Sequence, residues 1–299
     1  MTKIEYFDLQ RKVVSHMVSK SWENIPHVCF VYEPDMTEFV QRYEKLPKVN
    51  GKKISFNTLM LRMIVEGLKS APKLNATLSY HPKTLDGVLT IHEEINISIP
   101  WLLPNGKMIT PVVQQAQSKS LNELAQSIVD LEKKIENTDI NELLYSAGRK
   151  ETLTELKNGH LGVLRRLSPT KKNAPQLRTL SKKERKKYAN LPEEKRLTAE
   201  NLLSGTITVS NIGSLYKNQK GFLGLLEIIP PQIMAIGIGA LQEKPGVYVN
   251  VVGEKKIGIR KTLPICIAFD HRAVDFNDIV PFLKALDKII EEPNCIKTW

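Results

Sequence analysis

Apolar positions switch between helical and strand spacing along the chain, and the switches predict an order of elements. Val13, Val14, Met17 and Val18 recur at helical spacing within Arg11–Trp22, and Pro26 stops that helix. His27–Tyr32, HVCFVY, is β-branched and aromatic and reads as a strand. A second helix starts at Asp35-Met36-Thr37, with Phe39, Val40 and Tyr43 on one face. Phe56–Leu68 is apolar almost all round, which predicts a buried helix entered through an N-cap at Ser55. Ile95–Trp101 and Met108–Val113 flank Leu103-Pro104-Asn105-Gly106-Lys107, and Asn-Gly between β-rich runs predicts a hairpin. In Ser120–Ile135 the stripe Leu121, Leu124, Ile128, Leu131, Ile135 is helical, and Ser120 with Glu123 forms a capping box. Strand-like runs return at Thr206–Val209, Gln232–Ile238, Val247–Val252 and Leu263–Phe269, before a closing amphipathic helix over Asp278–Ile290. This order predicts an α+β sandwich: a mixed, largely antiparallel sheet covered by helices, in a single domain spanning residues 1–299.

Gly221–Leu241 is long enough to span a bilayer, but Glu227, Gln232 and Pro230-Pro231 break it into a helix or loop and a buried strand. The first twelve residues have no apolar h-region, so no signal peptide and no membrane association are expected. Hydrophobic residues at 41% supply a core and exclude a disordered chain. Cys29, Cys266 and Cys295 form no CxxC and no Cys/His cluster, which argues against a structural metal and fits a reducing cytoplasm.

The net charge of +11 is confined to one place. Residues 137–197 form a basic insertion, interrupted by Pro169, Pro175 and Pro192, with Leu153, Leu156, Leu164 and Leu167 on a helical stripe. Between Arg149 and Arg196 stand 15 Lys or Arg against five Glu, leaving 28 against 27 elsewhere. Such a segment is either a solvated helical arm or a docking face for an acidic partner. Between the same two arginines only Tyr188 is aromatic, which argues against nucleic acid.

Chemistry concentrates after the strand LPICIAF, in Asp270-His271-Arg272-Ala273-Val274-Asp275. A histidine at the end of a buried strand is held firmly and opens onto a cleft, so it suits a general base. From these residues alone, a histidine flanked by Asp270 and Arg272 is more often part of a surface ion network than a catalytic base. Asp275 lies four residues after His271, a spacing also used for metal pairs, but no further ligand cluster is evident.

Several segments, in order, resemble one family. They are Arg11-Lys12 with Ile25-Pro26-His27; Pro72-Lys73-Leu74-Asn75-Ala76; Asn96-Ile97 through Pro104-Asn105-Gly106 to Thr110-Pro111-Val112-Val113; and Lys119-Ser120-Leu121 with Glu123-Leu124-Ala125. Then follow Thr208-Val209-Ser210-Asn211-Ile212-Gly213, Pro230-Pro231-Gln232 through Gly239, and the Asp-His-Arg motif. Together they resemble the catalytic domain of the E2 acyltransferases of 2-oxo acid dehydrogenase complexes, which share the chloramphenicol acetyltransferase fold. The resemblance implies an acyltransferase with coenzyme A as substrate, a lipoyl group supplied in trans, and a homotrimer whose sites lie between subunits; it makes a lipoyl or acyl carrier protein, or the phosphates of coenzyme A, the acidic partner that the basic insertion would dock. It implies that His271 is the base, that Ser210 stabilises the oxyanion, and that Asp275 pairs with Arg11. Asp270, Arg272 and Asn211 support the site. For Ser210 the residues themselves favour a plain strand end capping a turn with Asn211.

The sequence departs from the family's pattern in four places. No lipoyl or peripheral-subunit-binding domain is expected, Phe276 stands where the family has glycine, Leu102 stands where an aspartate is common, and residues 137–197 are long and basic. These departures keep two other readings open: a freestanding acyltransferase with a small-molecule or carrier-protein substrate, and a non-catalytic trimeric scaffold.

Overall fold

In a computed structural model, residues 2–47, 53–157 and 180–299 are described. Along the chain run α1 (Leu9–Asn24), β1 (His27–Tyr32), α2 (Thr37–Glu44), α3 (Phe56–Ser70), β2 (Ala76–His81), β3 (Asp86–Ile91), β4 (Ile97–Ser98), β5 (Trp101–Leu102), β6 (Met108–Ile109) and β7 (Val112–Val113). They are followed by α4 (Leu121–Glu136), α5 (Ile140–Lys157), α6 (Lys182–Ala189), α7 (Glu200–Leu203), β8 (Ile207–Asn211), β9 (Met234–Ile238), β10 (Gln242–Val249), β11 (Lys255–Thr262), β12 (Ile265–Asp270) and α8 (Phe276–Glu291).

Six strands form the central sheet in the order β1-β12-β9-β8-β4-β7. The β9–β8 and β8–β4 pairs are parallel and the other three antiparallel, while β2–β3, β5–β6 and β10–β11 are separate antiparallel pairs. The predicted mixed, largely antiparallel sheet is therefore present. Side chains alternate across it. Ile265, Ile267 and Phe269 of β12 and Met234, Ile236 and Ile238 of β9 face the main core, with α3, α4 and α8. Ala235 and Ala268 face the other way, under Ile25, Ile228, Leu225 and Leu226. The helices approach closely where α3 meets α8. A Cβ on Gly67 would lie 2.6 Å from the Phe282 ring, so only glycine admits that contact.

Several boundaries fall where the apolar pattern puts them. Ser55 caps α3 by accepting the Thr58 N–H, and Ser120 with Glu123 closes the capping box of α4. The region 95–113 differs from a single hairpin. Ile97–Ser98 pairs with Val112–Val113 inside the main sheet, and Trp101–Leu102 pairs with Met108–Ile109 outside it. Pro100 and Pro111 separate the two pairs, because proline cannot donate to a ladder. The turn between β5 and β6 holds Gly106 at φ +78°, as an Asn-Gly turn requires. Gly221–Leu241 resolves into a loop followed by β9, and no helix among the described residues is long and apolar enough to cross a membrane. In the basic segment, Leu153 and Leu156 fall within α5, while Leu164, Leu167, Pro169 and Pro175 lie outside the described residues.

Candidate active site

Strand β12 delivers His271. Its last residue, Asp270, is 1% exposed and holds Arg272 as a fork. Arg272 Nε lies 3.0 Å from Oδ1, Nη2 lies 2.6 Å from Oδ2, and the Arg272 N–H donates to Oδ1 at 2.9 Å. This clasp closes a tight loop over His271, whose own N–H donates to the Pro26 carbonyl at 3.2 Å. Arg272 also lies over the Tyr80 ring, 5.2 Å from its centroid.

The imidazole is oriented from one side. Nδ1 is 3.2 Å from the Val274 carbonyl and 3.3 Å from Asp275 Oδ1. Both neighbours accept, so the proton belongs on Nδ1 and Nε2 carries the lone pair. The Phe269 ring meets the imidazole nearly edge-on, with centroids 6.1 Å apart. The His271 side chain remains 51% exposed, so the open nitrogen is accessible. Arg272 is spent on Asp270, leaving the histidine to its own two acceptors, an arrangement in which Nε2 can accept a proton.

Ser210 lies in β8 rather than in the turn after it. Asn211 does the capping. Its Oδ1 accepts the Ser214 N–H at 3.0 Å, and its Nδ2 donates to Asn57 Oδ1 at 2.8 Å. Among the described residues the Ser210 hydroxyl makes no hydrogen bond, so it is available as a donor. Asn57, in the first turn of α3, carries no sequence signal for this role, because it faces Asn211 only through the fold.

One chain does not bring His271 and Ser210 together. Ser210 pairs with Gly237, and Gly237 pairs with Cys266. His271 follows five residues after Cys266 and two strands away from Ser210. At strand spacing the two Cα atoms are separated by roughly 19 Å.

The expected Arg11–Asp275 pair is also not formed within the chain. Arg11 is exposed on α1, where its backbone N–H bonds Asp8 Oδ1 at 2.8 Å. Asp275, with its side chain 79% exposed, faces His271 instead. It precedes α8, and a carboxyl is stabilised at a helix N-terminus without a distant cation. Asp278 Oδ2 accepts the Asp275 N–H and the Lys73 ammonium, both at 2.9 Å, which fixes that start. Phe276 and Leu102 are both exposed, and Phe276 packs edge-on against Phe30 at 5.1 Å. Cys29 and Cys266, distant in sequence, face each other with sulfurs 3.1 Å apart, and burial pushes the Cys266 thiol up. Among the described residues no group of three or more His, Cys, Asp or Glu gathers as metal ligands would.

A family model for the 2-oxoacid dehydrogenases acyltransferase (catalytic domain) matches residues 2–163 and 167–297. The chain belongs to that family. The match runs across the basic segment, with a gap only at residues 164–166. The chain is 29% identical over 289 residues to the dihydrolipoyllysine-residue acetyltransferase component of the pyruvate dehydrogenase complex of Mycoplasma genitalium. That alignment takes in 94% of this chain and 56% of the relative. The Mycoplasma pneumoniae counterpart is 26% identical, over 94% of this chain and 54% of its own length. The chain thus spans about half the length of the curated relatives it matches. Among solved structures, a probable dihydrolipoamide acetyltransferase from Listeria monocytogenes superposes with a TM-score of 0.62 at 20% identity, covering 97% of this chain and 95% of that one. Azotobacter vinelandii dihydrolipoamide acetyltransferase superposes with 0.62 at 18% identity, covering 99% and 94%, in work on the role of a serine, a histidine and an asparagine in its catalytic mechanism. These likenesses show that the fold is that of the acyltransferase cores.

Proposed function

We propose that this chain is the acyl-transfer core of a 2-oxo acid dehydrogenase complex, moving an acyl group between a dihydrolipoyl thiol and coenzyme A. The orientation of His271 carries the reading: Nδ1 is held by Val274 and Asp275, and Nε2 is left open to solvent. Nε2 takes the proton of the attacking thiol, and the sulfur adds to the thioester carbonyl. The tetrahedral oxyanion is stabilised by a hydroxyl donor, the role assigned to Ser210. Collapse breaks the carbon–sulfur bond to the leaving thiolate, which takes the proton back from the imidazolium. Asp275, beside Nδ1, stabilises that imidazolium while it lasts. Of the three residue types named for the Azotobacter protein, the asparagine lies four positions after the histidine, and this chain has Asp275 there.

The separation of Ser210 from His271 supports a site completed by two copies, as in a trimer with three equivalent interfaces. So does the hairpin β10–β11, which presents Val247, Val249, Ile257 and Ile259 to solvent, each more than 60% exposed. In this reading coenzyme A and the lipoyl group are substrates, the lipoyl arm comes from another domain or protein, and the site lies in the cytoplasm. The exposed Leu102 and Phe276 favour a second reading, a freestanding acyltransferase with an apolar small-molecule or carrier-bound acceptor.

One assay separates these readings. Thiol release is followed over a panel of acyl-CoAs, with dihydrolipoamide or without it, for the parent and for His271→Ala. Turnover that requires dihydrolipoamide and is lost in His271→Ala is the expected result. Turnover with other acceptors alone selects the freestanding enzyme. An intact assembly with no turnover on any acceptor selects a scaffold.

A further inference from the structure

Between helices α5 and α6 lies an open depression of about 570 Å³, remote in sequence from His271 and Ser210 and lined by neither. The cations of α6 are not spread evenly around it. Lys182, Arg185 and Lys186 fall at i, i+3 and i+4, so they share one helical face, and all three line the depression. Lys183 and Lys187 do not. The three cations share the concave side with Tyr188 and Ala189 of the same helix and with Arg196 from the following segment.

These charges have little to neutralise them. Among the described residues of the lining Glu142 is the one carboxyl, against four cations. Among the described residues Lys182, Arg185 and Lys186 form no ion pair. Glu184, on the same helix, is spent at the cap: its carboxylate accepts the Ser181 N–H at 2.8 Å while Ser181 Oγ accepts the Glu184 N–H. Arg196 is held in place over the Tyr188 ring, 5.1 Å from its centroid. Tyr188, half-buried, and Ala189, exposed, make part of the wall apolar. A depression of this volume is in the size range that takes a small organic molecule. Lysines as point charges and arginines as planar forks are the side chains that hold phosphate.

We propose that this depression binds a small phosphorylated organic anion, of the size of a nucleoside diphosphate. The phosphates meet Lys182, Arg185 and Lys186, and the organic body lies against Tyr188 and Ala189. The proposal is independent of acyl transfer at His271. The same chemistry could come from a free nucleotide or from the nucleotide part of a larger carrier such as coenzyme A.

Titration calorimetry on the full chain tests it, with ADP, pyrophosphate and uncharged adenosine as probes at low and high salt. ADP and pyrophosphate bind at low salt, more weakly at high salt, and adenosine does not. Arg185→Glu/Lys186→Glu weakens both by at least roughly tenfold, while a charge-matched change elsewhere, Lys3→Glu/Lys83→Glu, does not. Arg185→Gln/Lys186→Gln gives the same loss and serves if the reversal disturbs folding, which circular dichroism reports. Displacement of bound ADP by coenzyme A assigns the source to the carrier, and no displacement assigns it to a free nucleotide. Absence of ADP and pyrophosphate binding, equal binding by the variants, or binding only of an acidic protein overturns the proposal.

Discussion

Removing Arg272 tests how the loop that carries His271 is held. Arg272 is the partner of a carboxylate that is almost wholly buried: the Asp270 side chain is 1% exposed and that of Arg272 25%. Two charges about 4 Å apart, in the effective dielectric near a protein surface, attract by about 4 kcal/mol. Deleting one partner strands the other, which in buried pairs costs about 3–5 kcal/mol. Because Arg272 keeps a quarter of its side chain in water, Arg272→Ala should cost about 3 kcal/mol, the low end of that range. In a domain of this size that corresponds to a fall in Tm of about 6–12 °C. Urea unfolding at fixed protein concentration measures it, since assembly makes stability depend on concentration. The double variant Asp270→Asn/Arg272→Met removes both charges and should regain most of the loss, because the penalty lies in the stranded charge rather than in the pair. A loss below about 1 kcal/mol in Arg272→Ala, or a double variant as unstable as the single one, would refute the reasoning.

Three further outcomes follow from the same geometry. Gly67→Val places a Cβ 2.6 Å from the Phe282 ring, so α3 and α8 must part; a loss of about 1–3 kcal/mol in urea unfolding is expected, and a parent-like midpoint would show that the helices yield freely. The Asp278 carboxyl is held below its ordinary 3.8 first by the Asp275 N–H and then by Lys73. Its contribution to stability is present above that ordinary value and fades as pH falls through the lowered one, so Asp278→Asn should be less stable than the parent at neutral pH and converge with it in acid. A stability gap that persists into strong acid would contradict that sign. Ser210→Ala should lower turnover by roughly 10²–10³ with the fold unchanged, as expected for one oxyanion donor; a loss below about tenfold would leave Ser210 a plain strand residue.

Much of the fold was legible because apolar periodicity marks whatever faces the main core. His27–Tyr32, Phe56–Ser70 and Leu121–Glu136 each bury a face that the sequence displays. Strands that bury little were not legible. Lys255–Thr262, KKIGIRKT, pairs with Gln242–Val249 while keeping Ile257 and Ile259 in solvent, so it shows no buried alternation. Ala76–His81 and Asp86–Ile91 likewise form a largely exposed pair. The site divides in the same way. His271, Asp270 and Arg272 are neighbours in sequence, and their loop follows from the strand that ends at Asp270. The Val274 carbonyl and Asn57 could not be read, since a backbone acceptor and an asparagine from another helix leave no pattern. The Arg11–Asp275 expectation failed within one chain because Asp275 satisfies itself locally, beside His271 and at the start of α8.

The central claim is that His271 of one copy and Ser210 of another complete one site. Mixing decides it. His271→Ala and Ser210→Ala chains are each purified, unfolded together and reassembled, and acyl transfer is compared with that of each variant reassembled alone. If the residues act across an interface, random mixing rebuilds about one site in four with both groups intact, and activity rises well above either variant. If mixed assemblies form and activity stays at the level of the separate variants, the two residues do not act across an interface, and the two-copy site is wrong.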